Sequence, residues 1–460
     1  MKRRCLLSLA LIILSISMAG QDKILTETNF SNVVGAGARA LGMGGAFIAI
    51  ADDATAASWN PAGLAQLERF SLSLVSRFDN YRALNPARGD AENGFFMGAE
   101  MTQSESLDLD FASLSLPVRL GRIKLVPQVS FQRAINFNLN SRQHGIRGII
   151  PDEDAVTGER FYFQGNFYNE NVFSGGFDVI SISLGTRMMR WLNLGLSVNY
   201  WMNGYQGEQT KGASGFFYSQ NNPDIKTNAD HEVFESRSFE IRGLNFNIGL
   251  LVELAENLRL GLVYKTAFSA DIDYSNKNQF IDFREEKNKQ NVFEATGSSR
   301  LLWPRSFGLG VSYRPSDPLT FSLDYTNTGW YHGRLLDYQH EGIVRDVYFP
   351  TLKDTADEEM LNPQMDAEQI RLGVEFVIFG QGVLVPLRLG FFTDSQYFAD
   401  ISGRKVLMIG LTAGLGLKMK KVSFDAAVVY QSGSYLNTPF SYSFYQNSNL
   451  RLYLSTIVNL

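Results

Sequence analysis

The chain of 460 residues is 45% hydrophobic, 13% aromatic and 19% charged, with 41 Gly, 34 Phe, 19 Tyr and a single Cys. That aromatic content beside a near-average charged fraction excludes wholesale disorder, and a net charge of −5 without a basic block argues against nucleic acid as a partner. No apolar run of about 18 residues follows the N-terminal stretch, which excludes helical membrane spans; the length suits two to four ordinary domains or one large barrel.

The first segment reads as an export leader. Lys2, Arg3 and Arg4 precede an apolar stretch from Leu6 to Ile16, and Ser17 and Ala19 place small residues ahead of a cut after Ala19. This is the pattern of a secretory signal peptide over residues 1–19, and the stretch is short for an anchor helix. Cys5 lies ahead of the apolar stretch, so it is no lipoprotein acceptor, and the processed chain is cysteine-free. It keeps 39 basic against 47 acidic residues, a net charge of −8. A secreted chain of this length without disulfides needs another source of stability.

Residues 20–69 do not alternate; they are rich in Gly and Ala. Gly35, Gly37, Gly42, Gly44 and Gly45 allow close backbone packing. Asp52 or Asp53 is placed to cap a short helix running through Ser58. Asn60-Pro61-Ala62-Gly63 reads as a turn with Pro61 opening a second short helix. The segment is expected to be a hatch, or plug, inside the structure that follows; the alternative is a small separate periplasmic subdomain.

From about residue 70 to 460 the dominant signal has period two. In Leu192-Asn193-Leu194-Gly195-Leu196-Ser197-Val198-Asn199-Tyr200 every even position is apolar and every odd one small or polar. The stretches 258–265, 319–326, 370–378 and 422–431 repeat it, which marks sheets with two unlike faces. The segments run about 9–15 residues, long for soluble strands and suited to tilted spans of a bilayer. Tight links fall near 119–122, 188–191, 254–257, 314–318, 380–382 and 418–421. Long segments lie between them, near 79–106, 135–170, 204–235, 276–298, 332–365, 396–404 and 433–448. Short turns on one side and long loops on the other are the outer-membrane pattern. The count is fourteen strands, from 70–78 to 449–460. The expected fold is therefore all-β, a 14-stranded antiparallel transmembrane β-barrel with a small N-terminal hatch inside the lumen. A barrel of this width is too wide to be filled by wall side chains alone, which gives the hatch a place to go.

The segment R-A-L-G-M-G-G-A at 39–46, A-D-D-A at 51–54 and N-P-A-G at 60–63 resembles the N-terminal hatch of the FadL/OMPP1 (TodX-like) family of outer-membrane hydrophobic-compound transporters. The hatch residues that carry the resemblance are Gly42, Gly44, Gly45, Asp52, Asp53, Asn60, Pro61, Ala62 and Gly63. The C-terminal amphipathic strand is similar to the insertion signal of bacterial outer-membrane barrels, with Leu460 in place of the more usual Phe. The hatch motif is also similar to that of PorV/PorQ-like proteins of secretion systems. The first resemblance implies passive uptake of hydrophobic molecules such as long-chain fatty acids, with no cofactor and no metal. It implies capture by extracellular loops, a pocket above the hatch, and release through a lateral wall opening into outer-membrane lipid. The second implies a surface barrel that binds or shuttles secreted proteins.

Candidate ligand-binding residues follow. Phe216, Phe217 and Tyr218 in one predicted loop, and Phe280, Ile281 and Phe283 in another, form aromatic clusters suited to capture, or else to packing of the loops on one another. Phe47 and Arg39 are candidates within the hatch. The lumen phase carries Lys124, Arg259, Lys265, Asp324, Arg371, Glu375, Arg388, Asp425 and Arg451. A cation there either pairs with a ligand carboxylate or belongs to an ion-pair network that bonds hatch to wall. Pro127 in the third strand cannot donate to the ladder and is the candidate for the lateral opening; Gly175-Gly176 in the next strand are expected nearer the outer rim. Enzymatic readings fare badly. His144, His231, His332 and His340 fall in predicted loops without metal-ligand spacing, and no G-x-S-x-G elbow occurs. Acidic runs at Asp152-Glu153-Asp154 and Asp357-Glu358-Glu359 read either as Ca²⁺ sites or as solvated loop faces, and a short helix is possible near Ala356 to Leu361.

Overall fold

The computed structural model describes residues 32–85, 87–90, 95–153, 160–228, 230–282, 289–332, 334–336, 353–354, 365–400, 403–438 and 441–460. The leader, Phe283, the acidic run at 357–359 and the possible helix near 356–361 lie outside these residues.

Fourteen strands form one closed antiparallel wall. They are β1 (Ser71–Asn85), β2 (Glu100–Ser115, continued by Val118–Leu120), β3 (Ile123–Asn136 and Leu139–Glu153), β4 (Arg160–Met189), β5 (Leu192–Met202 and Gly204–Ser219), β6 (His231–Ala255) and β7 (Leu258–Lys265 and Phe268–Asp282). The second half comprises β8 (Lys289–Trp303 and Ser306–Ser316), β9 (Leu319–Thr328), β10 (Ala367–Phe379), β11 (Leu384–Ala399), β12 (Lys405–Lys418), β13 (Val422–Thr438) and β14 (Ser441–Asn459). Each pairs with its neighbour in sequence. Closure comes from β1 and β14, in register from Ser71↔Asn459 to Leu84↔Gln446. The first and last strands thus leave no free edge to expose unpaired backbone groups to lipid, where each would cost several kcal/mol.

The polarity of the wall is inverted relative to a soluble protein. Along β12, Leu407, Ile409 and Leu411 point outward and are 46–60% exposed, while Val406, Met408 and Thr412 are buried toward the lumen. In β14, Leu452 and Leu454 face out while Tyr453 and Ser455 are buried. The outward faces of β2, β4, β6, β9, β10 and β11 carry exposed Leu, Ile, Val and Phe in the same way. An apolar belt around a polar-lined interior is stable only when lipid surrounds the belt.

One expectation is corrected by the structure. The stretches 135–170, 204–235 and 276–298, expected as loops, are mostly strand. β4 is 30 residues long, about 100 Å at the strand rise and roughly three times what crosses a bilayer. The outer halves of β3 to β8 pair side by side as a six-stranded wall, in register from β3–β4 through β7–β8. Neither face of this extension meets lipid, so it lacks the apolar/polar alternation by which strands are recognised in sequence.

Residues 32–67 lie within the wall. They form α1 (Ala38–Gly42), α2 (Ala56–Trp59) and a 3₁₀ turn (Pro61–Gln66). Asp53 Oδ1 accepts the Thr55 N–H at 2.8 Å ahead of α2, and Asn60 Oδ1 accepts the Ala62 N–H at 3.1 Å where Pro61 opens the 3₁₀ turn. Gly44, at φ +68°, lies against β10 and β11, where a Cβ would come within 2.7 Å of the Leu372 carbonyl oxygen. A Cβ on the facing Gly390 would meet the Gly44 nitrogen at 2.0 Å. Glycine on both sides is what lets hatch and wall backbones touch.

The belt yields a first prediction. Leu411→Arg, midway along the outward face of β12, is expected to lower the folding free energy in lipid by about 2–4 kcal/mol. Urea titration of folding into liposomes measures it; an unchanged midpoint would mean that this face does not meet hydrocarbon.

Candidate functional site

The hatch is fastened to the wall by buried charge. Arg39 on α1 grips Glu375 of β10 in a fork, Nε to Oε2 and Nη2 to Oε1, both at 3.0 Å. Its Nη1 also pairs with Asp52 and approaches Asp53 at 3.7 Å. Glu375 accepts a further bond from Arg388 Nε at 2.7 Å, and Arg388 Nη1 reaches Asp425 at 2.7 Å. Burial opposes the charge on Arg39, but Asp52 and Glu375 outweigh it and hold the guanidinium more firmly protonated than usual. Burial raises the Asp53 carboxyl above its ordinary range even though Arg39 opposes the shift. Backbone contacts add to the fastening. Asp324 of β9 accepts the N–H groups of Phe47 and Ile48 at 2.7 and 2.8 Å. Asn60 donates to Ile48 O in the hatch and to Leu250 O in β6.

Arg39 therefore belongs to the hatch-to-wall network and borders the cavity at the short-turn end, about 500 Å³, together with Asp52, Asp53 and Glu375. Phe47 lies deeper. It is fully buried in the hatch core, packs edge-on against Trp59 at 6.1 Å and lies beneath the Arg39 guanidinium.

Above the hatch the lumen is filled by an apolar layer. Phe137, Phe177, Trp201, Phe239, Trp303 and Trp330 are among its buried side chains. Trp201 and Trp303 have ring centroids 5.0 Å apart, and Trp303 and Trp330 5.1 Å. The layer sits where strands are interrupted: at 137–138 in β3, at Asn203 (φ +65°) in β5, at 266–267 in β7 and at 304–305 in β8. Two cavities lie between this layer and the hatch. One, about 60 Å³, touches Trp201, Trp303, Trp330, Asn199, Asn245 and Lys265. The other, about 70 Å³, is polar and touches Arg77, Asp110, Arg133, Arg371, Asp394 and Arg451. They meet at Gln132 and Ala134 of β3 and share no lining residue with the short-turn cavity below the hatch.

Beside the polar cavity the wall ladder parts. The pairing of β2 with β3 ends at Phe111↔Gln132, while β2 continues along β1 as far as Glu100. Side chains bridge the parted strands. Asn136 Nδ2 donates to Asp108 Oδ2 at 2.8 Å, Asn138 Nδ2 donates to Asp108 Oδ1, and the Asn140 N–H meets Ser104 Oγ at 2.9 Å. Pro127 lies lower in β3. It stays in register with Leu184 of β4, and its carbonyl accepts the Leu116 N–H at 3.0 Å, so the strands do not separate there. Gly175 and Gly176 stand against the break itself. Gly175 has φ +107°, its carbonyl accepts the Phe137 N–H, and Gly176 faces Asn136.

The aromatic residues expected on loops lie on strands of the outer wall. Phe217 packs with Phe163 and Phe167, Tyr218 stacks on Tyr162 at 5.4 Å, and Phe216 lies under Lys226. They pack on neighbouring strands rather than forming a separate patch. Phe280 is on outer β7 between Val233 and Asn291. Most lumen-phase cations have partners: Lys124 with Glu68 at 2.6 Å, Arg259 with Gln66 at 3.0 Å, Arg451 with Asp79 at 3.6 Å, and Arg371 with the Gly44 carbonyl at 2.8 Å. The parting of β2 from β3 had no local signal in the sequence beyond the run Asn136-Phe137-Asn138, whose amides replace the missing ladder bonds.

No protein-family model matches the chain, and comparison with curated protein sequences gives no match. Solved structures do share the fold. The chain is similar to a Pseudomonas aeruginosa FadL homologue (TM-score 0.58, 13% identity, 94% of this chain and 100% of that one). It is also similar to the CymD monoaromatic hydrocarbon channel (0.53, 14%, 94% and 99%) and to the Pseudomonas putida toluene transporter TodX (0.53, 13%, 94% and 100%). The architecture of this chain is that of a FadL/TodX-like outer-membrane barrel.

The network makes a second prediction. Glu375→Gln leaves the buried Arg388 and the half-buried Arg39 short of a charge and is expected to cost about 3 kcal/mol. It should lower the temperature at which the barrel loses its heat-modifiable gel mobility and raise ion conductance in planar bilayers. Unchanged conductance would mean that the hatch holds without this pair.

Proposed function

We propose that the protein is a bacterial outer-membrane channel, exported by its leader, for the passive uptake of hydrophobic small molecules, with fatty acids and monoaromatic compounds as the candidate classes. Ligand enters at the long-strand, extracellular end, passes the aromatic layer into the cavities above the hatch, and leaves sideways between β2 and β3 into the membrane. The observation that carries this reading is the parted ladder beside those cavities, above a hatch fastened to the wall. A path straight down would have to break the Arg39–Glu375–Arg388 network, whereas the sideways path crosses a stretch of wall without ladder bonds, held by Asn136, Asn138 and Arg133 on Asp108 and by the Asn140 N–H on Ser104. The shared fold with the hydrocarbon channels supports the same reading. The chemistry asked of the protein is binding and exclusion of water, with no catalytic group, cofactor, metal or nucleic acid in it.

A second reading, a surface barrel that binds or shuttles a secreted protein, is favoured by the tall outer wall of β3 to β8 and by the filled lumen. It predicts a co-purifying exported protein and no ligand flux.

The test joins the two. Cysteines at Asp108 and Asn136 are the only thiols in the processed chain. Bridging them with a short bifunctional thiol reagent is expected to abolish uptake of radiolabelled toluene or palmitate into proteoliposomes, with recovery on reduction. Uptake that persists in the bridged protein would rule out this exit. No uptake by the unmodified protein, with an exported protein bound instead, would favour the second reading.

A further inference from the structure

The cavity under the tryptophans contains one charge without a counterpart. Lys265 ends the inner half of β7, between Asn247 of β6 and Ser306 of β8, and borders the cavity with Trp201, Trp303 and Trp330. No Asp or Glu among the described residues lines this cavity. Every other lumen cation named above has a carboxylate, an amide or a backbone carbonyl as partner. Lys265 has no hydrogen-bond or ion-pair partner among the described residues. Lys265 is half-buried; an ammonium drawn from bulk water without a partner is costly, and that cost falls when an anion occupies the space beside it.

The remaining walls say what kind of anion. The tryptophans offer flat apolar faces; Trp201 is held in place by its Nε1–H bond to Asn245 at 2.9 Å. Asn199 bonds the same Asn245 oxygen at 3.1 Å, so the amides of β5 and β6 beside Lys265 are ordered as well. The size is limiting. A water needs about 10–15 Å³ in this measure, so the cavity of about 60 Å³ holds roughly four to six waters, about 120–180 Å³ of liquid volume. That is the volume of one ring with a small head group, not of a long acyl chain.

We infer that this cavity is a binding site for a small aromatic monocarboxylate, its ring against Trp201, Trp303 and Trp330 and its carboxylate on the Lys265 ammonium. The inference rests on the uptake reading and narrows its substrate class from neutral hydrocarbon to aromatic acid. The carboxylate replaces the missing partner of Lys265 by a charge-assisted hydrogen bond, and the ring contributes stacking on the indoles.

Benzoate and toluene serve as probes of the full chain purified in detergent, with calorimetry and tryptophan fluorescence as readouts. Lys265→Met removes the charge and keeps the stem; Lys265→Arg keeps a cation. Correct folding of each is checked by heat-modifiable mobility. Saturable benzoate binding is expected, weakened at least tenfold in Lys265→Met and recovered to within about threefold in Lys265→Arg, while toluene binding stays the same in all three. Equal benzoate affinity in the unmodified protein and Lys265→Met, or no saturable benzoate binding, would overturn the inference. If benzoate fails and toluene binds, the uptake reading stands without it. If neither binds and neither enters proteoliposomes, both fall.

Discussion

The rest of the structure depends on closure of the wall by the pairing of β1 with β14. Hydrocarbon offers no partner to an N–H or a C=O, so a sheet that crosses it must end where it began. Once closed, the barrel has a lumen too wide for wall side chains alone, and that space must be filled or left wet. The Gly- and Ala-rich hatch fills its lower part because small residues on both surfaces, Gly44 against Gly390 above all, let backbone approach backbone. Above it the aromatic layer spans the lumen from Phe137 to Trp330. All three follow from closure: the wall pairs its backbone against lipid, and the hatch and the layer fill the lumen that it encloses.

The placement of charge follows the same logic. Carboxylates and guanidiniums in the lumen would be costly if isolated, and the hatch network joins them into a chain, Asp52–Arg39–Glu375–Arg388–Asp425, that runs from plug to wall. Buried ion pairs add little net stability compared with apolar packing, but they are expensive to break one side at a time. They therefore act as a latch. Between β2 and β3 the bonds across the parted ladder come from Asn136, Asn138, Asp108 and Ser104. The proposed sideways exit rests on the missing ladder bonds of that stretch, where Asp108 also pairs with Arg133 at 3.7 Å.

The two cavities differ as sharply as the two fastenings. One is lined by arginines and aspartates that answer one another; the other sets three indoles against one ammonium. On the proposed route, the passage from the aromatic cavity to the wall lies at Gln132 and Ala134 of β3, which line both cavities. An amphipathic molecule tolerates both environments, whereas a pure hydrocarbon is at home only in the first.

The sequence by itself determined the kind of wall. Alternation along 192–200 or 422–431, the tight links near 188–191 and 418–421, and the unlike stripes of the last strand are local patterns, because lipid on one side and lumen on the other act on every residue in turn. Asn60-Pro61 was legible as a helix start for the same reason, since a cap needs only its own neighbours; Asp53, expected as a cap, bonds Thr55 instead, and Thr55 is the residue that precedes α2. Tertiary structure decided the rest. The outer wall of β3 to β8 was read as loops because strands that face no lipid carry no alternation. Pro127 was the visible irregularity, yet a proline whose neighbours keep register does not open a wall; the ladder parts where Asn136 and Asn138 meet Asp108, some thirty residues away in the chain. Arg39 and Lys265 looked alike as cations bound for the lumen. Their difference, one gripped by Glu375 and the other without a partner among the described residues, was set by which strands the closed barrel brought beside them, and no local pattern records that.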